Sequence, residues 1–348
     1  MSFKKKFRMK ALVVMSAAMV SLLGACSSSS SSGGGDDEKI TLSYAFFAPD
    51  NTFPAVQMKK WGEELEKRTD GKVEVDMFFG GTLLEADNMF DGVSNGTADI
   101  GLTSTTYEPG RFPLLEISDL PNGYPNSEVA SQVVADLIDE YPPEALKDFK
   151  VITAFATEPA YIQSTKSISN LDELSGTQLR ISGALTPVME VLGAAPVGMA
   201  QSEVPEALQT AVVDGNVSSR EVLKDLKLAE YVKFVTDYPL TINTFVAVMN
   251  KDKWESLPED VKKVIDELNG EMTVFTGKYL DEHTAESMKW SADEQGLKVV
   301  PLTEEETKIW DEKIKPVQEA AVKKAEKQGL PGAEYRDRIN ELVEQYSK

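Results

Sequence analysis

The sequence predicts an α/β fold in two lobes, with one long helix spanning both lobes and further helices at the C-terminal end. Strand-like and helix-like patterns alternate along the chain, as in layered, largely parallel α/β units. They do so twice, in a block starting near Ile40 and again in a block starting near Val151. The chain has 348 residues. Even without an N-terminal leader that exceeds the ~100–200 residues of one ordinary core. From Pro258 to Gln295 the only serious helix interruption is Gly270, with Gly277 a weaker one. A helix of ~38 residues would be ~57 Å long, more than one small domain needs.

The N-terminus comes first. Residues 3–10 (FKKKFRMK) are basic and residues 11–25 (ALVVMSAAMVSLLGA) are apolar. The apolar run is shorter than the ~20 residues that span a bilayer, so 1–25 reads as a secretory signal peptide rather than an anchor. It ends Leu23-Gly24-Ala25-Cys26, which resembles a bacterial lipobox, where the Cys becomes lipid-modified and N-terminal. Cys26 is the sole cysteine. Residues 26–38 follow as a flexible Ser/Gly tether, since nothing from Ser27 to Glu38 can be buried. The expectation is a lipid-anchored, extracytoplasmic body, in the periplasm or on the outer face of the cytoplasmic membrane.

Lobe 1 is expected over 39–150. ITLSYAF (40–46) reads as a strand, and 53–69 as a helix with Pro54, Met58, Trp61 and Leu65 on one face. VEVDMFF (73–79) alternates as a strand does. A helix over 85–96, a strand at 98–102, a loop over 105–126 and a helix over 127–140 complete the lobe. Lobe 2 is expected over 151–248. Its elements are strand 151–156, a short capped helix at 170–175, strand 177–182, helix 202–213, a turn at 213–216, helix 219–230, and strands 232–236 and 245–249. Residues 249–348 are expected to hold the long helix, a return to lobe 1 and C-terminal helices at 304–327 and 333–346. Pro258-Glu259-Asp260 makes a good first turn for the long helix, where acids favour the dipole.

Composition narrows the function. The formal net charge is −21, from 36 basic and 57 acidic residues. The leader carries Lys4, Lys5, Lys6, Arg8 and Lys10, so the body is more acidic still. That argues against nucleic acid, which is bound mostly through Lys and Arg. One Cys excludes internal disulfides and zinc-finger spacing. One His, His283, falls mid-way along the long helix, a poor place for the general base of a hydrolase. Asp36 and Asp37 lie in the tether, and Glu304 to Glu306 open a helix, so neither group reads as a catalytic pair. No catalytic residue, metal or cofactor is expected, and the balance leans towards binding.

Residues 171–270 hold LDELSGTQLRISGA, VLGAAPVGMAQSEVPEALQTAVVDG and MNKDKWESLPEDVKKVIDE in that order. With TDGKVEVDMFFGGTLLEADNMFDGVSNGTADIG in the first lobe, they resemble the substrate-binding subunits of tripartite ATP-independent periplasmic (TRAP) transporters of the DctP family. The likeness covers roughly 40–300. It implies a periplasmic-binding-protein-like two-lobed fold of type II, with a cleft that closes on an organic acid. It also implies delivery of the ligand, by a monomer, to the small and large membrane subunits of an ion-driven permease.

The same resemblance puts Arg180 in LSGTQLRIS where the family's Arg pairs with the ligand carboxylate. A planar guanidinium holds a carboxylate by two parallel hydrogen bonds, which fixes orientation as well as charge. Ser182 follows on the same strand end. Glu85, Ser104, Gln201 and Ser218 match positions that line the cleft in similar proteins. Phe245 begins a strand returning towards the first lobe. Phe47 stands where sugar-acid binders often carry Asn, and Tyr161 lies where sialic-acid binders carry a second Arg. Those departures favour a carboxylate with an apolar or aromatic body over a polyhydroxylated acid. Three other readings stay open: service to an ATP-driven importer or a sensor kinase, a structural lipoprotein, and a hydrolase.

Overall fold

The computed structural model describes residues 39–348. The signal at 1–25, the lipidation candidate Cys26 and the tether at 26–38 lie outside the described residues. Among these, eleven strands run as β1 Ile40–Phe46, β2 Val73–Phe78, β3 Ile100–Ser104, β4 Phe149–Ala156, β5 Tyr161–Ser164, β6 Gln178–Ile181, β7 Ala195–Gly198, β8 Gly215–Ser218, β9 Phe234–Asp237, β10 Thr244–Asn250 and β11 Lys298–Pro301. They form two sheets, ordered β2-β1-β3-β10-β4 and β11-β9-β5-β8-β6-β7, one for each lobe.

The first lobe forms much as its sequence suggests. Phe53–Arg68 is a helix that starts with Pro54 in its first turn and ends with Lys67 and Arg68. Its buried face includes Met58, Trp61 and Leu65, and Trp61 meets Tyr44 edge-on with ring centroids 5.6 Å apart. Asp70 and Gly71, both at positive φ, stop the helix and turn the chain into β2. β1 then pairs in parallel with both β2 and β3.

Where the lobes divide, the sequence expectation is corrected. β4 and β10 belong to the first sheet, so the second lobe does not begin at 151 and does not run to 248. β10 pairs antiparallel with both β3 and β4, placing Phe245 opposite Ser104 on one side and Phe155 on the other. An apolar strand such as VITAFA carries no local sign of which sheet it will enter, because its partners are distant in sequence. The chain crosses between sheets after β4 and again before β10. The crossings hold each other: Thr157 N–H donates to Asn243 O (3.1 Å) and Leu240 N–H to Ala160 O (2.8 Å).

The long helix runs Glu259–Gln295 and ends on left-handed Gly296. Val261, Ile265, Leu268, Met272 and Leu280 enter the first lobe's core. Met288 and Trp290 pack on a cluster of the second lobe with Leu223, Val232 and Val235. Neither glycine interrupts it. At Gly277 a Cβ would lie 2.6 Å from Glu128 Cα, so this glycine lets the helix Ser127–Glu140 approach closely. The helix Glu304–Lys327 has Thr303 as N-cap, accepting from Glu306 N–H at 3.1 Å. Its Trp310 and Ile314 join a second-lobe core, while Val322 and Ala325 meet the helices Ser127–Glu140 and Gly332–Tyr346.

Short elements depart more. The expected helix at 85–96 shortens to Met89–Ser94, because Asn88 Oδ1 accepts from Glu85 N–H and holds a turn ahead of it. The 202–213 helix is a 3-10 turn plus Val204–Gln209, ended near Ala211 at φ 56°. The 219–230 helix is one turn, Val222–Asp225, broken by left-handed Lys227. Gly215, expected in a tight turn, lies inside β8, where a Cβ would stand 2.4 Å from Gln163 O.

Candidate ligand-binding site

Arg180 is the residue from which the candidate site is built up. It occupies β6, flanked in register by β7 and β8, and is 1 % exposed. Its Nε and one terminal nitrogen donate to Met199 O at 3.0 and 2.8 Å. The other terminal nitrogen donates to Gln201 Oε1 and, at 3.4 Å, to Asn216 Oδ1. Longer contacts at 3.5 Å reach Ser182 Oγ and the Tyr107 hydroxyl. Every one of these acceptors is neutral. Burial pushes the guanidinium below its usual range, partly opposed by Tyr107 and Glu203. A buried cation without an anion is costly, so the site favours a carboxylate partner.

The cavity beside it has about 490 Å³ of empty space, solvent mouth included. Six of the nine residues expected at the ligand line it: Phe47, Arg180, Ser182, Gln201, Ser218 and Phe245. The walls are strongly aromatic. Phe47 meets Tyr107 edge-on at 5.1 Å, and Phe245 meets Phe53 at 5.9 Å while stacking on Phe155 at 5.6 Å.

Three expected residues stand elsewhere. Ser104 is buried behind the cleft, where its Oγ accepts from Thr106 N–H at 3.3 Å and caps the turn that carries Tyr107. Glu85 is exposed and lines a neighbouring cavity with Tyr107, Pro109, Gly183 and Glu203. Tyr161 opens β5 outside the main cavity, with the Arg220 guanidinium 4.0 Å over its ring. Arg220 in turn is held by both oxygens of buried Glu158, at 3.0 and 2.7 Å.

Several lining residues were not foreseen. Tyr107 links the lobes: its hydroxyl accepts from Gln201 N–H at 3.2 Å. Asn243 Oδ1 accepts from Ser182 Oγ (2.8 Å) and Thr106 Oγ1 (2.9 Å), joining both lobes at the crossing. Glu221 and Asp225 also line the cavity. Tyr107, Ser219 and Glu221 follow the carboxyl ends of β3 and β8, where ligands of open α/β sheets gather. That rule could have found them. Asn243, in an irregular crossing segment, carries no such signal. His283, which a hydrolase would need, bonds Asp225 Oδ1 through Nε2 at 2.7 Å and stacks on Tyr279 at 5.4 Å.

Two sheets joined by paired crossings, with a cleft holding an uncompensated cation, define a two-lobed solute-binding protein. The chain belongs to the bacterial extracellular solute-binding proteins, family 7 (DctP), whose family model matches residues 44–325. It is thus a TRAP solute-binding protein, of a family of binding proteins rather than enzymes. A TRAP periplasmic solute-binding protein of Desulfovibrio salexigens, solved as an open complex, is 43% identical, with TM-score 0.80 over 88% of this chain and 97% of that one. A marine metagenome TRAP protein specific for aromatic acid ligands, solved with metahydroxyphenylacetate, is 28% identical, with TM-score 0.85 over 89% of this chain and 100% of that one. The C4-dicarboxylate-binding periplasmic protein DctP of Rhodobacter capsulatus is 27% identical over 80% of this chain and 86% of its own.

Proposed function

We propose that this protein captures an organic acid with an apolar or aromatic body and delivers it, without turnover, to the small and large membrane subunits of a TRAP permease. The observation that carries this reading is Arg180, a buried cation with only neutral protein acceptors, at a cleft walled by Phe47, Phe53 and Phe245. The guanidinium takes the carboxylate and the rings take the body. Tyr107, Gln201 and Ser182 surround the same guanidinium and orient the acid. The aromatic-acid ligand of the 28%-identical marine protein supports the ligand class. The lipobox-like Leu23 to Cys26 supports a lipid anchor holding a monomeric body outside the cytoplasmic membrane.

A thermal-shift screen of the body from Lys39 onward, first denatured and refolded to strip carried-over ligand, tests this. At ~100 times its dissociation constant a ligand adds about 2.7 kcal/mol. Aromatic or branched monoacids are expected to raise the melting temperature and sugar acids are not. A response to sugar acids alone would refute the apolar-body reading. A melting point indifferent to every acid would refute capture itself.

A further inference from the structure

The cleft has a second polar feature that the carboxylate anchor does not use. Glu221 is 1 % exposed. Its Oε1 accepts from Ser219 Oγ at 2.8 Å, and its Oε2 has no hydrogen-bond partner. The Asp225 side chain is 5% exposed; Oδ1 meets His283 Nε2 at 2.7 Å, and Oδ2 has no partner. Both residues line the cavity that Arg180 lines.

These acids are held in place from both sides. Ser287 Oγ on the long helix donates to Arg220 O and Glu221 O at 3.0 and 3.2 Å. Asn51 Nδ2 from the first lobe donates to Asp225 O at 2.8 Å. The adjacent Glu158 is already neutralised by Arg220, which is therefore not free to serve Glu221. None of the hydrogen bonds of Arg180 goes to Glu221 or Asp225, and neither acid is among the charges that act on its guanidinium. Burial pushes the Glu221 carboxyl up to about 8, with the charges of Glu158 and Asp225 adding to the effect, so a ligand donor at Oε2 would favour the charged form that burial disfavours.

We propose that Glu221 and Asp225 recognise a hydrogen-bond donor on the ligand, so that the acid is bifunctional: a carboxylate for Arg180 and, away from it, a hydroxyl or ammonium for these carboxylates. This rests on the capture of an acid by Arg180. A buried acceptor without a donor is expensive, and a ligand that supplies the donor relieves it. A pocket built around such a group rejects the analogue that lacks it far more strongly than an apolar pocket rejects an extra methylene.

Calorimetric titration of the stripped protein with phenylacetate, hydroxyphenylacetates and aminomethylbenzoates tests the idea. At least one donor-bearing acid is expected to bind tenfold or more tightly than phenylacetate. Glu221→Met should shrink that ratio towards one. Glu221→Gln should shrink it for an ammonium and keep part of it for a hydroxyl, which tells the two donors apart. A melting curve of each variant confirms folding. Equal affinities for phenylacetate and every donor-bearing acid would overturn the donor end while leaving capture by Arg180 intact. A donor preference that survives both Glu221 variants and Asp225→Asn would overturn it too. Absence of binding by every acid, with Arg180→Ala indistinguishable from the parent, would sink the capture reading and this inference together.

Discussion

Truncating Arg180 to alanine removes the one cation that lines the cleft among the described residues, and should cost about 2–5 kcal/mol of ligand affinity, as for half of a buried charge pair. Arg180→Lys keeps the charge but loses the planar fork, so it should recover only part of that loss. Titration of both variants with an acid found active in the screen checks this; parental affinity in Arg180→Ala would remove it from the site. Arg180 is singled out by the resemblance of LSGTQLRIS to the family's motif, since one Arg alone carries almost no signal. Tyr107 could have been found from its place after the carboxyl end of β3, but Asn243 could not, because its role arises from contacts between segments far apart in sequence. Asp119 makes the same point for stability. It is buried, Oδ1 accepts from Thr244 N–H at 3.0 Å, Oδ2 has no partner, and burial raises its carboxyl to about 8. A raised carboxyl holds its proton more tightly in the folded state. The stability it contributes is therefore full below the unfolded value near 4 and drains away as pH climbs towards 8. Asp119→Asn should flatten the decline of melting temperature between about pH 4 and pH 8. Parallel profiles for parent and variant would contradict this.

Helices of three turns or more were read with close boundaries because their apolar faces repeat many times. The helices Ser127–Glu140 and Glu304–Lys327 fall where periodicity predicts them. One-turn elements carry too few repeats, and backbone features such as Lys227 at positive φ decide them instead. Glycines also mislead: Gly215 suggests a turn and Gly277 a break, yet both serve close approach of neighbouring backbone. At Gly277 the neighbour is the Glu128 backbone, also tied by Ser127 Oγ donating to Gly277 O at 3.0 Å. Backbone atoms cannot swing aside, so Gly277→Val should force the two helices apart and cost about 1–3 kcal/mol, as overpacking does. Chemical denaturation reads it as a lower midpoint at unchanged slope. A midpoint equal to the parent's would show that the helix pair tolerates the extra volume.

At the scale of the whole molecule, two lobes were legible from the repeated strand–helix alternation, while the crossings were not, since sheet membership depends on long-range pairing. Two short crossings and the long helix carry the chain between the two sheets. Polar contacts between the lobes at the cleft include Tyr107 hydroxyl with Gln201 N–H at 3.2 Å, Asn51 Nδ2 with Asp225 O at 2.8 Å, and Asn243 Oδ1 with Ser182 Oγ at 2.8 Å. Such contacts are worth roughly 0.5–1.5 kcal/mol each, too little to hold the lobes together unaided. A ligand that touches Arg180 on one lobe and the Phe47 ring on the other adds contacts available only when they meet, and so shifts the population towards closure. Apparent affinity falls in proportion to the fraction of molecules able to close. Tyr107→Phe keeps the ring against Phe47 and deletes the hydroxyl. It should weaken binding about 2- to 10-fold, in line with one hydrogen bond, and leave the unliganded protein more open. Titration measures the first effect and small-angle scattering the second, as a larger radius of gyration that ligand reverses. An unchanged radius and an unchanged affinity would mean that the hydroxyl does not help to close the cleft.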